Sequence, residues 1–153
     1  YDSVMRRETS FNTQEKNGYK LYQKNCSSCH TEPLFTNYQF KNNGLDIDTT
    51  LNDIGRVKIS KNPSDSFCFK VPTLRNLEFS YPYMHDGRFK NLSAVLKHYL
   101  SDIHSKQYIS SELNMPLQLT SNEKVDLMTF LLTLNDRDFV FKKNVGFPQE
   151  LRK

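Results

Sequence analysis

Apolar residues recur at helical spacing in three stretches of this chain and are scattered elsewhere. The strongest pattern is Val125, Leu127, Met128, Phe130, Leu131, Leu132 and Leu134, which predicts a helix over 121–134. Thr120 or Ser121 would cap it, with Glu123 supplying an acidic first turn. Leu92, Val95, Leu96, Tyr99 and Leu100 predict a second helix, capped by Asn91 or Ser93. Tyr19, Leu21 and Tyr22, set among polar helix formers, predict a third from Gln14 to Asn25, running straight into Cys26. The stretch 31–66 is rich in Asn, Asp, Thr, Gly and Pro and reads as a long loop. A loop of that length usually wraps something or serves a site. Phe67 to Val71 reads as a short extended segment ended by Pro72, and Pro72 to Asn76 as the opening of a short helix. Tyr81-Pro82-Tyr83-Met84-His85-Asp86-Gly87 is a turn region. Residues 1–13 read as a polar lead-in and 137–153 as a charged tail that packs only partly. The expected fold is all-α, with long loops and little or no sheet.

Composition narrows the classes. With 153 residues the chain suits one domain with a modest core. Mean hydropathy is −0.68, and no run approaches the roughly 18 apolar residues of a membrane span. The net charge of +4 is spread along the chain, its longest basic cluster being Lys142-Lys143. Aromatics are not interleaved with basic runs, which argues against a nucleic-acid partner. A mildly basic surface attracts an acidic protein only weakly at physiological salt.

The chemistry gathers in Cys26-Ser27-Ser28-Cys29-His30. C-x-x-C followed directly by His is the spacing of covalent c-type haem attachment. Two thiols three residues apart on a tight turn reach the two vinyl groups along one porphyrin edge, and His30 then swings beneath the iron as proximal ligand. Competing readings are a thioredoxin-like redox pair, which expects a parallel sheet, and half a zinc site, which needs a second ligand pair. Cys68, between Phe67 and Phe69, reads as a buried inert thiol. Haem c is attached outside the bacterial cytoplasm, so the motif implies a periplasmic or otherwise exported protein. The chain starts at Tyr1 with no signal-peptide pattern, which reads as a processed protein or a cut domain.

Gly18-x-x-x-Tyr22-x-x-x-Cys26 resembles the first helix of c-type cytochromes, in which a glycine lets the terminal helix cross closely. Three further motifs occur in order: Phe69-Lys70-Val71-Pro72-Thr73-Leu74-Arg75-Asn76, the Tyr81–Gly87 turn, and Leu117-Gln118-Leu119-Thr120. Together they resemble the C-terminal haem domain of bacterial di-haem cytochrome c peroxidases and their MauG-type relatives, from about Gly18 to Asp136. The resemblance implies a cytochrome c-like haem domain over 14–136, with one covalent haem c. It also implies an N-terminal domain, absent here, whose haem reacts with peroxide. This domain would relay electrons or oxidising equivalents between that haem and a small redox donor or protein substrate, with little activity alone. The alternative is a standalone monohaem cytochrome acting as an electron carrier. Calcium in the full-length protein would take the backbone carbonyls of Ser80 and Pro82.

The second axial ligand is also implied by the resemblance. The peroxidases place a Met fourteen residues after the His of the Pro-Tyr-x-His-Asp-Gly motif; here that position is Tyr99, the residue MauG-type proteins carry. The bland reading is that Tyr99 is a core aromatic of an amphipathic helix. Met115, before Pro116, is the alternative ligand, and Met84 and His85 could approach from their turn. A phenolate favours Fe(III) and higher states where a thioether favours Fe(II). Arg75 is a candidate for a bidentate haem-propionate contact, against an ordinary surface pair. His98 and His104 read as surface residues.

Overall fold

The computed structural model describes residues 1–101, 103 and 108–142. Its three longest helices each begin at a capping side chain. Helix α1 spans Asp2–Met5 and α2 spans Thr13–Asn25. Asn12 caps α2 by accepting from the Glu15 N–H at 2.9 Å, and the Glu15 carboxylate accepts from the Asn12 N–H at 2.8 Å. This reciprocal box satisfies two backbone donors that the first turn leaves unpaired. Strands β1 (Phe40–Lys41) and β2 (Phe69–Lys70) pair antiparallel, Phe40 opposite Lys70, with the one-turn helix α3 (Val57–Ser60) between them in sequence. Helix α4 (Leu92–Tyr99) is capped by Asn91. Helix α5 (Ser121–Leu132) carries a second capping box, Thr120 with Glu123. Helix α6 (Arg137–Val140) follows. Among the described residues the fold is mostly helical with one two-stranded sheet.

Helices α2 and α5 cross at Gly18, and the crossing positions everything else. A Cβ on Gly18 would lie 2.0 Å from the Asp126 carbonyl oxygen and 2.7 Å from the Phe130 Cβ, so only glycine permits this approach. Tyr22, Phe35, Leu127, Phe130, Leu131 and Leu134 form the core around it. The rings of Tyr22, Phe35 and Phe130 lie 5.2–6.4 Å apart. Burying each such side chain contributes about 1.5–3 kcal/mol. Leu74, Leu77, Leu96 and Leu119 lean on the core but stay partly exposed. The shell thus holds more apolar surface than its own core covers.

Three segments differ from the sequence-based expectation. The short helix expected at Pro72–Asn76 is a one-turn 3-10 helix at Leu77–Phe79 instead. Asn76 adopts φ +57°, and that left-handed residue ends the extended run before the turn can start. In the lead-in 1–13, residues 2–5 are helical, and Tyr1 and Phe11 pack on the core. Of the tail, residues 143–153 lie outside the described part, and Arg137–Val140 form α6.

The Tyr81–Gly87 turn is closed by Tyr83 and Phe89, the Tyr83 N–H donating to the Phe89 carbonyl at 2.7 Å. Within it the Asp86 side chain is only 2% exposed and pairs with Arg88 Nη2 at 2.5 Å. Burial pushes the Asp86 carboxyl up, but the hydrogen bonds and charge of Arg88 outweigh it and hold it below its usual value. A carboxylate so depressed contributes stability that is present above its unfolded pKa of about 3.9 and lost as pH falls through the folded value. Asp86→Asn is expected to cost about 2 kcal/mol near neutral pH, because Arg88 is left half-buried without its partner. The variant's denaturation midpoint should then fall less steeply than the wild type's on acidification; parallel curves would contradict this.

Candidate haem-binding site

Cys26 is the C-terminal cap of α2, and its N–H still donates to the Tyr22 carbonyl at 2.8 Å. The chain then tightens. The N–H groups of Cys29 and His30 both donate to the Cys26 carbonyl, at 3.2 and 2.9 Å. One helix end therefore presents two thiols and an imidazole from a single turn. Asn37 locks the turn from outside, its N–H donating to the Cys29 carbonyl at 2.9 Å and its side-chain amide to the Ser28 carbonyl at 3.0 Å. All three cysteines are free thiols. Burial pushes the Cys26 thiol up to about 12, and burial with the Glu112 charge raises Cys29. Thiol–disulfide exchange needs an accessible thiolate, which this setting opposes. Cys68 is buried among its neighbours, its thiol also raised, chiefly by burial.

His30 is oriented by carbonyls. Its Nδ1 lies 3.2 Å from the Phe35 oxygen and 3.1 Å from the Pro72 oxygen. Two acceptors on one nitrogen fix the Nδ1–H tautomer and leave Nε2 with its lone pair. Burial, opposed by these two bonds, lowers the His30 pKa and favours the neutral imidazole. Phe35 reaches this position in the left-handed region, φ +54°, with its ring fully buried. A bulky residue there is strained, and the strain aims its carbonyl at His30. The Thr36 hydroxyl ties the same loop to the Val71 carbonyl at 2.7 Å.

On the other candidate side, burial pushes the Tyr99 hydroxyl up and an Asn43 side-chain hydrogen bond lowers it. Asn43 also donates to the Met84 Sδ at 3.4 Å. His98 is half-buried rather than a simple surface residue: its Nε2 lies 2.9 Å from the Asn43 carbonyl oxygen. Met115 is 81% exposed. His85 stacks on Phe69 with centroids 3.5 Å apart. Arg75 holds Asp2 at 2.5 and 2.9 Å and the Pro33 carbonyl at 2.7 Å, so a propionate would compete with Asp2. Ser80 and Pro82 flank Tyr81, whose peptide bond to Pro82 is cis, in an exposed turn. His104 lies outside the described residues.

The partners with no side-chain signature, the Phe35 and Pro72 carbonyls, could not be found from sequence. Asn43 was equally hidden, in a loop without periodicity.

Residues 15–135 match the cytochrome c family. The chain belongs to that family. It is 36% identical over 132 residues to the methylamine utilization protein MauG of Methylorubrum extorquens, covering 83% of this chain and 36% of that protein. It is 36% identical over 93 residues to the cytochrome c551 peroxidase of Nitrosomonas europaea, covering 59% of this chain and 28% of that one. A crystal structure of a MauG-like protein associated with microbial copper homeostasis superposes with a TM-score of 0.82 at 28% identity, over 92% of this chain and 52% of that one. The cytochrome c domain thus spans roughly a third of the curated relatives it matches. Its all-α fold with minimal sheet is that of a cytochrome c domain with MauG-like neighbours.

A cytochrome c domain implies covalently bound haem c. The donor set fits that group: two thiols on one turn, a neutral imidazole with a free Nε2, and leucines with apolar surface left to cover. Among the described residues no helix is long and apolar enough to cross a membrane.

Proposed function

We propose that this cytochrome c domain is the electron-relay haem domain of a di-haem peroxidase of MauG-like type. The observation that carries the reading is the His30 turn, with Nδ1 held by two carbonyls and both thiols presented from the same turn. Cys26 and Cys29 hold the haem through thioethers, and His30 Nε2 is the proximal iron ligand. Tyr99 is the distal ligand in preference to the solvent-facing Met115. Haem c, when bound, supplies a redox-active iron. The protein's part would be to ligate that iron through His30 and Tyr99, and the partly exposed Leu74, Leu77, Leu96 and Leu119 would offer apolar surface to the group. The peroxide-reacting haem belongs to a further domain of the same polypeptide, in keeping with a relative of which the matched stretch makes up only 36%. The electron donor is a small redox protein, or the relay acts on a protein substrate. Haem attachment places the protein outside the cytoplasm. Calcium on the Ser80 and Pro82 carbonyls would require side chains from the further domain.

The test is covalent haem. Wild-type protein made with haem-attachment machinery should keep its Soret band after denaturation and extraction. Cys26→Ser/Cys29→Ser should lose essentially all of it. Extractable haem in the wild type would sink the attachment site. A second C-x-x-C-H elsewhere in the encoded protein supports the di-haem reading, and its absence favours the monohaem carrier.

A further inference from the structure

Three phenols converge beside the His30 turn, and the attachment chemistry uses none of them. The Tyr1 hydroxyl donates to Glu32 Oε2 at 2.5 Å. The Tyr19 hydroxyl donates to the same carboxylate, 3.0 Å from Oε1 and 3.2 Å from Oε2. Tyr22, fully buried, donates its hydroxyl to the His30 carbonyl. The rings form a series. Tyr22 and Tyr19 stack at 6.2 Å with planes 12° apart, and Tyr19 meets Tyr1 edge-on at 6.5 Å. Among the described residues Glu32 forms no salt bridge, so its oxygens face phenols rather than a cation. Tyr1, Tyr19 and Glu32 are all partly open to solvent.

We infer that Tyr1 and Tyr19, sharing the Glu32 carboxylate, form a proton-coupled one-electron redox site connected through the Tyr22 ring to the haem-binding turn. The reason is the chemistry of phenol oxidation. Removing an electron from a phenol makes it a very strong acid, so the oxidation becomes accessible when a base already holds the O–H. Tyr19 and Tyr1 have such a base and Tyr22 does not, since its hydroxyl is held by an amide carbonyl. Tyr22 therefore passes charge as a ring while the hole settles on the outer pair. The oxidant is this domain's haem once the peroxide-reacting haem of the further domain has drawn an electron from it. One electron passes from the phenol to the oxidised haem, the O–H bond breaks, and the proton goes to a Glu32 oxygen. The products are a neutral tyrosyl radical, a carboxylic acid and a haem one electron more reduced. An external one-electron donor then returns the electron, and the proton moves back. The site would discharge oxidising equivalents at a point that solvent reaches.

This inference rests on the haem reading for its oxidant, and the experiment separates the two. The full-length protein, carrying both this haem and the peroxide-reacting haem of the further domain, is treated with hydrogen peroxide, freeze-quenched and examined by electron paramagnetic resonance. A tyrosyl signal is expected in the wild type, reduced at least about tenfold in Tyr1→Phe/Tyr19→Phe and in Glu32→Gln. The amide of the Glu32→Gln variant keeps a hydrogen-bond acceptor but cannot take the proton, so circular dichroism and melting should stay close to wild type. In a second arm, a flash-generated ruthenium(III) polypyridyl complex oxidises the same proteins with and without haem. The tyrosyl yield should again fall at least about tenfold in Glu32→Gln. An unchanged radical yield in Glu32→Gln or in the double phenylalanine variant overturns the proposal. So does a full-length wild type with both haems attached that gives no tyrosyl signal with peroxide. Haem that fails to attach overturns the underlying haem reading instead, and the ruthenium arm then decides the phenol pair by itself.

Discussion

Gly18→Ala is expected to destabilise the protein by about 3 kcal/mol or more, although alanine is the better helix former by about 1 kcal/mol. The added methyl would sit 2.0 Å from the Asp126 carbonyl oxygen and 2.6 Å from its carbonyl carbon. Both are backbone atoms of α5, which cannot rotate aside as a side chain would, so α2 and α5 must separate along their crossing. That separation loosens Tyr22 and Phe130, two of the largest fully buried side chains. Against a total stability of about 5–15 kcal/mol, the loss is a large fraction. The check is urea denaturation, with the midpoint lowered and the slope unchanged. The fraction of chains that acquire covalent haem should fall in parallel, since Cys26 caps the displaced helix. Asn17→Ala provides the contrast. Its amide reaches Asp126 at 3.3 Å on the surface of the same crossing, and its loss should cost within about 0.5 kcal/mol. Equal midpoints for Gly18→Ala and wild type would mean that the helices do not meet at this position.

Replacing Tyr99 should change the iron more than the fold. In the folded chain burial keeps its phenol protonated near neutral pH, with an Asn43 hydrogen bond acting the other way. Only a strong local positive charge, such as ferric iron, would hold it as phenolate. Tyr99→Phe is therefore expected to abolish any phenolate-to-iron charge-transfer band in the ferric spectrum. Tyr99→Met is expected to raise the reduction potential by on the order of hundreds of millivolts, since a thioether favours Fe(II) and axial ligands set haem potentials over about 0.8 V. Spectroelectrochemical titration reads both. Met115→Leu, at an exposed loop position, should leave the spectrum and the potential alone. Superposable ferric spectra of wild type and Tyr99→Phe would remove Tyr99 from the ligand set and reopen the choice to Met84.

What the sequence determined by itself is local. The α2, α4 and α5 helices are written in side chains one turn apart and in caps three residues apart, Asn91 with Ala94 and Thr120 with Glu123. The Cys26–His30 turn is equally local, and so is the presence of a glycine one turn before Tyr22. Tertiary structure decided what lies across the chain. Pro72, 42 residues from His30, orients the imidazole through a backbone carbonyl that every residue possesses and no residue type announces. Phe35 does the same only because its backbone is left-handed, a state its side chain disfavours. Arg75 reads as a candidate propionate contact or an ordinary surface pair, and only the fold brings Asp2, 73 positions away, onto its guanidinium. Glu32 reads as loop polarity until the phenols of Tyr1 and Tyr19 arrive on its carboxylate. Periodicity and capping report on neighbours within one or two helical turns. The packing of loops onto helices is settled by which long-range contacts offset the entropy of closing them.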